Sequence, residues 1–308
     1  MKNFEPIILV DVSTILHKVR LTKQDKLYGT ELIDTVARLK KQLGSNRVIM
    51  VQDFGGSRYR KELYPEYKGH RANKEMTAEE EEKLNIMREW NKNLHLFYPM
   101  FEAYSIFGVE ADDLCSILYW NLKQEGYEVI VATNDKDYLG CIPTTNLYNI
   151  FKDRYYNEED RKGLTRKQFK IMQGLLGDNT DNIKGICGEK TAVVLSNNFT
   201  SYKDMRNYNG DITLLVGITP HNKRYVEKAL ADIKKLEIWN DLKLSYNLTS
   251  IFMDTKNLND IECDKYYEIE ESIKNFDYNA EFEITPELED FLENVGEQAV
   301  LCYLESLV

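Results

Sequence analysis

Ile7-Ile-Leu-Val-Asp11 is a short, unbroken apolar run closed by an acid, the pattern of a parallel strand buried on both faces. Two further stretches repeat it. Arg47-Val-Ile-Met-Val-Gln-Asp53 again finishes on Asp, and Glu128-Val-Ile-Val-Ala-Thr133 runs into Asn134-Asp-Lys-Asp137. Between the first two, residues 29–43 carry apolar side chains at 32, 33, 36, 39 and 43, which is helical spacing. Strands alternating with helices predict an α/β fold around a central, mostly parallel sheet flanked by helices. Such sheets bind ligands outside the carboxyl ends of their strands, so acids at three strand ends are expected to converge on one edge.

More acids follow. Phe107-Gly-Val-Glu-Ala-Asp-Asp113 puts Glu110, Asp112 and Asp113 just before the apolar run 114–120. That run reads as a helix, and carboxylates are tolerated in a first turn by the positive end of the helix dipole. Taken alone, this is ordinary helix-start chemistry. Beyond Asp137 the chain becomes mainly helical. A helix is expected over 164–176, followed by Gly177-Asp-Asn-Thr-Asp-Asn182, where Asp178 and Asp181 stand three apart and can face one side of a turn. Lys184-Gly-Ile-Cys-Gly-Glu-Lys-Thr-Ala192 then opens another helix, with glycines that leave backbone amides open to a phosphate.

The fold can therefore gather Asp11, Asp53, Glu110, Asp112, Asp113, Asp135, Asp137, Asp178 and Asp181. So many carboxylates in one pocket repel each other strongly and call for cations. Hard oxygen ligands, with no His or Cys among them, suit Mg²⁺ or Mn²⁺ rather than zinc. Two such ions on an acid cluster are what metal-assisted phosphodiester hydrolysis requires. Calcium storage is a poor match, because no contiguous D-x-D-x-D-G loop is present.

A basic stretch, Arg58-Tyr-Arg-Lys-Glu-Leu-Tyr-Pro-Glu-Tyr-Lys-Gly-His-Arg71, directly follows the second strand. It sets five Lys/Arg against two Glu, with three interleaved tyrosines. Basic residues neutralise phosphates and aromatic rings stack on unpaired bases; a solvated loop that tethers its tyrosines to the core has the same composition. Thr77-Ala-Glu-Glu-Glu-Glu82 then starts a capped helix that runs to about 96. An excursion of this length between two sheet strands is usually functional.

Composition bounds the rest. A chain of 308 residues can bury one large or two modest domains. The net charge of −11 argues at first against a nucleic-acid partner. However, residues 254–308 carry sixteen Asp/Glu against three Lys, a local −13, so the remainder is net +2 although it holds every acid named above. The acidic tail itself reads as a solvated face. Five widely spaced cysteines without a C-x-x-C are expected to be reduced thiols in a cytoplasmic protein. No apolar run approaches the roughly 18 residues that span a bilayer, so no membrane partner is expected.

These residues resemble the flap endonuclease/5′–3′ exonuclease family, in particular the free-standing bacteriophage enzymes and the 5′-nuclease domain of bacterial DNA polymerase I. The resemblance rests on Ile8-Leu-Val-Asp11, Tyr59-Arg60, Leu63 through Arg71, Gly108 through Asp113, Ala132 through Asp137, Gly177 through Ile183 and Gly188-Glu-Lys-Thr-Ala192. They occur in family order over residues 7–195. The resemblance implies a catalytic core over 1–200, with a helical arch at about 57–98 and a helix–hairpin–helix-like element at about 170–197. A mainly helical, acidic region, 201–308, would pack on that core.

By the same resemblance, Asp11, Asp53, Glu110, Asp112, Asp113 and Asp135 surround the catalytic metals, and Asp137, Asp178 and Asp181 complete the side nearer the second ion. Lys68 and Arg71 fall on arch positions that contact the scissile phosphate. Tyr67 falls where an aromatic meets a base, and Arg60 on another basic arch position. Gly185, Gly188 and Lys190 fall in the element that binds duplex DNA, in relatives often with a potassium ion. Relatives usually carry a G-h-G hairpin there; this chain has Gly185-Ile-Cys-Gly188 in a loop about two residues short, which counts against K⁺.

The implied activity is cutting DNA near a junction of 5′ single strand and duplex, with removal of RNA primers and 5′ flaps in replication. The implied partners are flap or junction DNA, an RNA–DNA hybrid, and replication proteins such as a single-strand-binding protein, acting on a monomer. Two alternatives share parts of the pattern. A junction-binding protein without catalysis would not need the complete acid set. A PIN-type ribonuclease has an acid-rich parallel sheet but lacks the arch motif and the 177–192 element. The apolar end, Leu301-Cys-Tyr-Leu-Glu-Ser-Leu-Val308, is expected to pack in the core.

Overall fold

The computed structural model describes residues 5–21, 28–69, 76–278 and 280–305. The strands are β1 (Ile7–Asp11), β2 (Val48–Val51), β3 (Glu102–Tyr104), β4 (Val129–Thr133), β5 (Leu147–Asn149) and β6 (Arg154–Tyr155). They form one sheet in the order β3-β2-β1-β4-β5-β6, parallel throughout except where β5 meets β6. The three apolar runs read from sequence are β1, β2 and β4, the centre of the sheet. Register pairs Ile8 with Val48 on one side of β1 and Ile7 with Val129 on the other.

Side-chain alternation divides each run between two cores. Ile7, Leu9, Ile49, Val51, Val129 and Val131 face one; Ile8, Val10, Val48, Met50, Ile130 and Ala132 face the other. Helices cover both faces, which is why these strands carry no polar alternation. The second face packs against α1 (Val12–Leu21), α2 (Tyr28–Leu43) and α4 (Ala78–Asn93). A short α3 (Arg58–Leu63) precedes α4 in the 57–98 excursion. The first face packs against α5 (Ala111–Gln124), α6 (Arg166–Leu176) and α7 (Glu189–Asn198). Both expected helix starts are present: α4 has a Thr77/Glu80 capping box, and α6 one from Thr165 and Gln168.

The region after 200 serves both faces. After α8 (Tyr202–Asn207), α9 (Lys223–Ile233), α10 (Leu236–Thr249) and α11 (Asp260–Asn275) join the first core. The last two helices, α12 (Pro286–Asn294) and α13 (Gln298–Glu305), join the second. Val300, Leu301 and Leu304 are buried, as expected of the apolar end; 306–308 lie outside the described residues. Most of the tail acids are exposed, but Glu262, Glu270 and Glu297 are buried and hydrogen-bonded. Glu297 accepts from the backbone N–H groups of Gly29 (2.9 Å) and Thr30 (3.3 Å) and from Trp90 Nε1 (3.1 Å). It thereby satisfies amide donors in the first turn of α2 and joins that turn to α4.

Strand order runs outward from β1 in both directions, so the switch point lies between β1 and β4. The carboxyl ends there carry Asp11 on β1 and, two residues past β4, Asp135.

Candidate active site

Each acid at the sheet edge is fixed by a local partner. Asp11 ends β1 and is 4% exposed. Its Oδ2 accepts from Tyr138 O–H at 3.3 Å, while Oδ1 is buried with no protein partner. Asp53 lies two residues past β2. Its Oδ2 accepts from Ser13 Oγ (2.7 Å) and its Oδ1 from the N–H of Ala111 (2.8 Å), fastening the start of α5 to the sheet edge. After β4, the N–H of Asp135 donates to Thr133 Oγ1 (3.0 Å) and that of Asp137 to Asp135 Oδ1 (2.8 Å). Gln173 of α6 donates to Asp137 Oδ1 at 2.8 Å.

Crowding is reflected in proton affinity. Burial, then the charges of Asp53 and Asp135, push the Asp11 carboxyl up to about 8. Burial, then Asp135 and Asp178, push Asp137 up to about 7. Asp112 is driven well above the carboxylate range by burial and by Asp113. These shifts and the orphaned Asp11 oxygen mark a site short of positive charge.

The first turn of α5 gives its acids different parts. Glu110, Asp112 and Asp113 each offer an oxygen within 4.8 Å of the others. Asp113 is fully buried. Its Oδ2 accepts from Arg60 Nη1 (2.5 Å), and its Oδ1 from Arg60 Nη2 (3.0 Å) and the N–H of Phe252 (3.0 Å). Glu110 Oε2 accepts from Arg60 at 2.6 Å. Arg60, expected at a basic arch position that meets DNA, turns inward in the structure. It is 2% exposed and also donates to the carbonyls of Leu248 (2.9 Å) and Ser250 (3.1 Å), so it ties α3, α5 and the end of α10 together. Tyr67, expected where an aromatic meets a base, is buried at the cleft with its hydroxyl 3.1 Å from Glu110 and 3.0 Å from Asp181.

Lys68 reaches into the cluster. Its ammonium is 2.5 Å from Glu110 Oε1 and 3.6 Å from Asp181 Oδ2, and its own N–H donates to the Asp181 carbonyl at 3.1 Å. Burial alone would lower its proton affinity, but Glu110 and Asp181 outweigh it and raise it. Glu110 stays below the usual range because Arg60 and Lys68 overcome its burial. Lys68 sits at φ 56°, a left-handed conformation uncommon outside glycine and common at functional sites. Arg71 lies outside the described residues.

Lys68, Asp112, Asp135, Asp137, Asp178 and Asp181 line one cleft of about 390 Å³. Asp178 Oδ1 accepts from the N–H (2.7 Å) and Oγ1 (2.6 Å) of Thr180, and its backbone pairs with Ile183. Asp53 is exposed and also lines a second groove with Arg88 and Lys92. Sequence reasoning missed Ser13, Thr133, Tyr138 and Gln173, the groups that aim the carboxylates. For the first two, a hydroxyl beside a strand-end acid was the available signal.

α6, the 177–188 turn and α7 form the expected helix–hairpin–helix-like element. Gly185 is there for packing: a Cβ on it would stand 1.9 Å from the carbonyl oxygen of Leu176 at the end of α6. Gly188 is the N-cap of α7, and Gly188 and Lys190 are exposed.

A parallel sheet with carboxylates at its switch point, beside a lysine from a basic excursion, defines the class of acid-cluster nucleases. The chain belongs to the 5′–3′ exonuclease family: the model of that family's N-terminal resolvase-like domain matches residues 7–170. It is a nuclease of the 5′–3′ exonuclease and flap endonuclease type. It is 28% identical over 270 residues to a 5′–3′ exonuclease of Buchnera aphidicola, covering 81% of this chain and 87% of that one. It is 27% identical over 197 residues to the flap endonuclease of Escherichia phage T5, covering 59% and 65%. The fold matches the structure of T5 5′-exonuclease with bound divalent metal ions (zinc), with a TM-score of 0.66 at 21% identity, over 88% of this chain and 99% of that one.

Among the described residues no helix is long and apolar enough to cross a membrane.

Proposed function

We propose that this nuclease hydrolyses DNA phosphodiesters near junctions of a 5′ single strand with duplex, in the removal of RNA primers and 5′ flaps. The observation that carries the reading is the acid cluster at the switch point with Lys68 inside it. The donor set fits divalent cations: it is all oxygen, it includes the orphaned Asp11 Oδ1, and its raised proton affinities are those of carboxylates lacking a counter-charge. Asp11, Asp53, Glu110, Asp112, Asp113 and Asp135 would surround Mg²⁺ or Mn²⁺, with Asp137, Asp178 and Asp181 on the side nearer a second ion. When bound, such ions supply charge neutralisation on the phosphate and lower the cost of generating the attacking and leaving oxygens.

The chain's own residues do the rest. Asp113 and Arg60 hold the first turn of α5 so that Glu110 and Asp112 keep their aim. Gln173 and Thr133 orient Asp137 and Asp135. Lys68, swung from Glu110 to the substrate, offsets the negative charge that grows on the phosphate in the transition state. The exposed first turn of α7, with Gly188 and Lys190, offers amides and a cation to a duplex phosphate. The T5 enzyme, whose structure is known with DNA and metal ions, is consistent with this reading.

The test is cleavage of a 5′-flap duplex by purified protein with Mg²⁺ and with EDTA. Cleavage confined to Mg²⁺, and lost in Asp135→Asn while flap binding persists, supports the proposal. Tight flap binding without Mg²⁺-dependent cleavage favours the junction-binding alternative, and preference for structured RNA favours the ribonuclease.

A further inference from the structure

Phe54 and Phe107 are 53% and 69% exposed, yet their rings touch edge to face at 5.3 Å and 77°. A single exposed phenylalanine needs no explanation. This pair is built. The N–H of Gly108 donates to the Phe54 carbonyl (2.8 Å) and the N–H of Arg58 to the Gly108 carbonyl (2.8 Å), stitching two loops together. Gly55 adopts φ +80°, and a Cβ on it would lie 2.6 Å from the Phe107 ring, so the ring rests on bare backbone. Both aromatics are thus held rigid with much of their surface open to solvent.

Their placement indicates an occupant. Phe54 directly follows Asp53, and Phe107 stands three residues before Glu110, so the pair adjoins the acid cluster at the foot of the 57–98 excursion. The groove that Phe54 shares with Asp53 is also lined by Arg88 and Lys92, exposed cations one turn apart on α4. An apolar ring surface beside a pair of cations matches a nucleotide: base on ring, phosphate on cation.

We propose that Phe54 and Phe107 form a platform that stacks an unpaired nucleobase of the substrate's single strand beside the junction, with Arg88 and Lys92 neutralising the adjacent phosphates. This rests on the nuclease reading above and adds a binding subsite to it.

The test compares Phe54→Ala, Phe107→Ala and Phe107→Trp with wild type on two substrates. One is an intact 5′-flap duplex; the other is the same duplex with abasic sites in the single strand next to the junction. Affinity is measured in EDTA by fluorescence anisotropy and single-turnover cleavage with Mg²⁺, with circular dichroism as the folding control. The alanine variants are expected to bind the intact flap about fivefold to a hundredfold more weakly. They should match wild type on the abasic flap, and Phe107→Trp should retain wild-type affinity. Equal losses on both substrates, or no loss on either, would overturn the platform; the second result would point to a protein partner on this patch. Wild-type protein that neither binds nor cuts the intact flap would instead overturn the proposed junction-cleaving function, and the platform with it.

Discussion

Arg60 Nη1 lies 2.6 Å from Glu110 Oε2 and 2.5 Å from Asp113 Oδ2, with all three side chains closed to water. The guanidinium serves as an internal counter-ion for acids of the cluster while anchoring the chain near Leu248 and Ser250 to α5. Removing one partner of a buried pair leaves a charge that the interior cannot solvate. Arg60→Ala is therefore expected to cost about 3–5 kcal/mol in chemical denaturation. Arg60→Lys should recover little of it, because a single ammonium cannot reproduce the fork that reaches both acids. A variant within about 0.5 kcal/mol of wild type would show that Arg60 is not the anchor.

Lys68 presents a different balance. Its ammonium occupies Glu110 Oε1, one of the oxygens proposed to bind a cation. Without DNA, Lys68→Ala is expected to tighten Mn²⁺ binding in isothermal titration calorimetry, because the competing charge is gone. With DNA, the same variant should slow single-turnover cleavage by about 10²-fold, the scale of losing one group that stabilises transition-state charge. Weaker Mn²⁺ binding, or an unchanged cleavage rate, would remove Lys68 from these roles.

Stability of the metal-free protein should depend on pH through Asp11 and Asp137, whose carboxyls burial and neighbouring acids push up from an ordinary 3.8 to about 8 and about 7. The folded state keeps protons that the unfolded chain has released over this range. These two groups therefore make stability fall as pH rises from about 4 to about 8. Thermal unfolding in EDTA should give a lower midpoint at pH 8.5 than at pH 6, and added Mg²⁺ should raise the midpoint more at the higher pH. An EDTA midpoint that rises with pH would contradict the assignment.

How legible the molecule is in its sequence depends on the range of each interaction. β1, β2 and β4 are central strands, buried on both faces, so their apolar runs announce them. β3 and β5 have three residues each, and β3 is only half-buried, too little for a pattern to register. Asp112, Asp135, Asp137, Asp178 and Asp181 line one cleft because a strand end, the first turn of α5 and the turn after α6 meet at one edge of the sheet. Arg60 and Lys68 are indistinguishable in a basic, tyrosine-bearing stretch, yet one is buried and the other faces the cleft. What separates them arrives from about 190 residues away, as the carbonyls of Leu248 and Ser250. Glu297 is likewise hidden within an acidic tail, because only folding brings it to Gly29 and Trp90.

The measurement that bears most directly on the central claim is anomalous diffraction from a crystal soaked in Mn²⁺. Two peaks are predicted at the sheet edge, one within coordinating distance of Asp135 and at least two of Asp11, Asp53, Glu110 and Asp112, the other beside Asp137, Asp178 and Asp181. A soaked crystal with no manganese among these carboxylates, or with manganese only elsewhere on the surface, would contradict it.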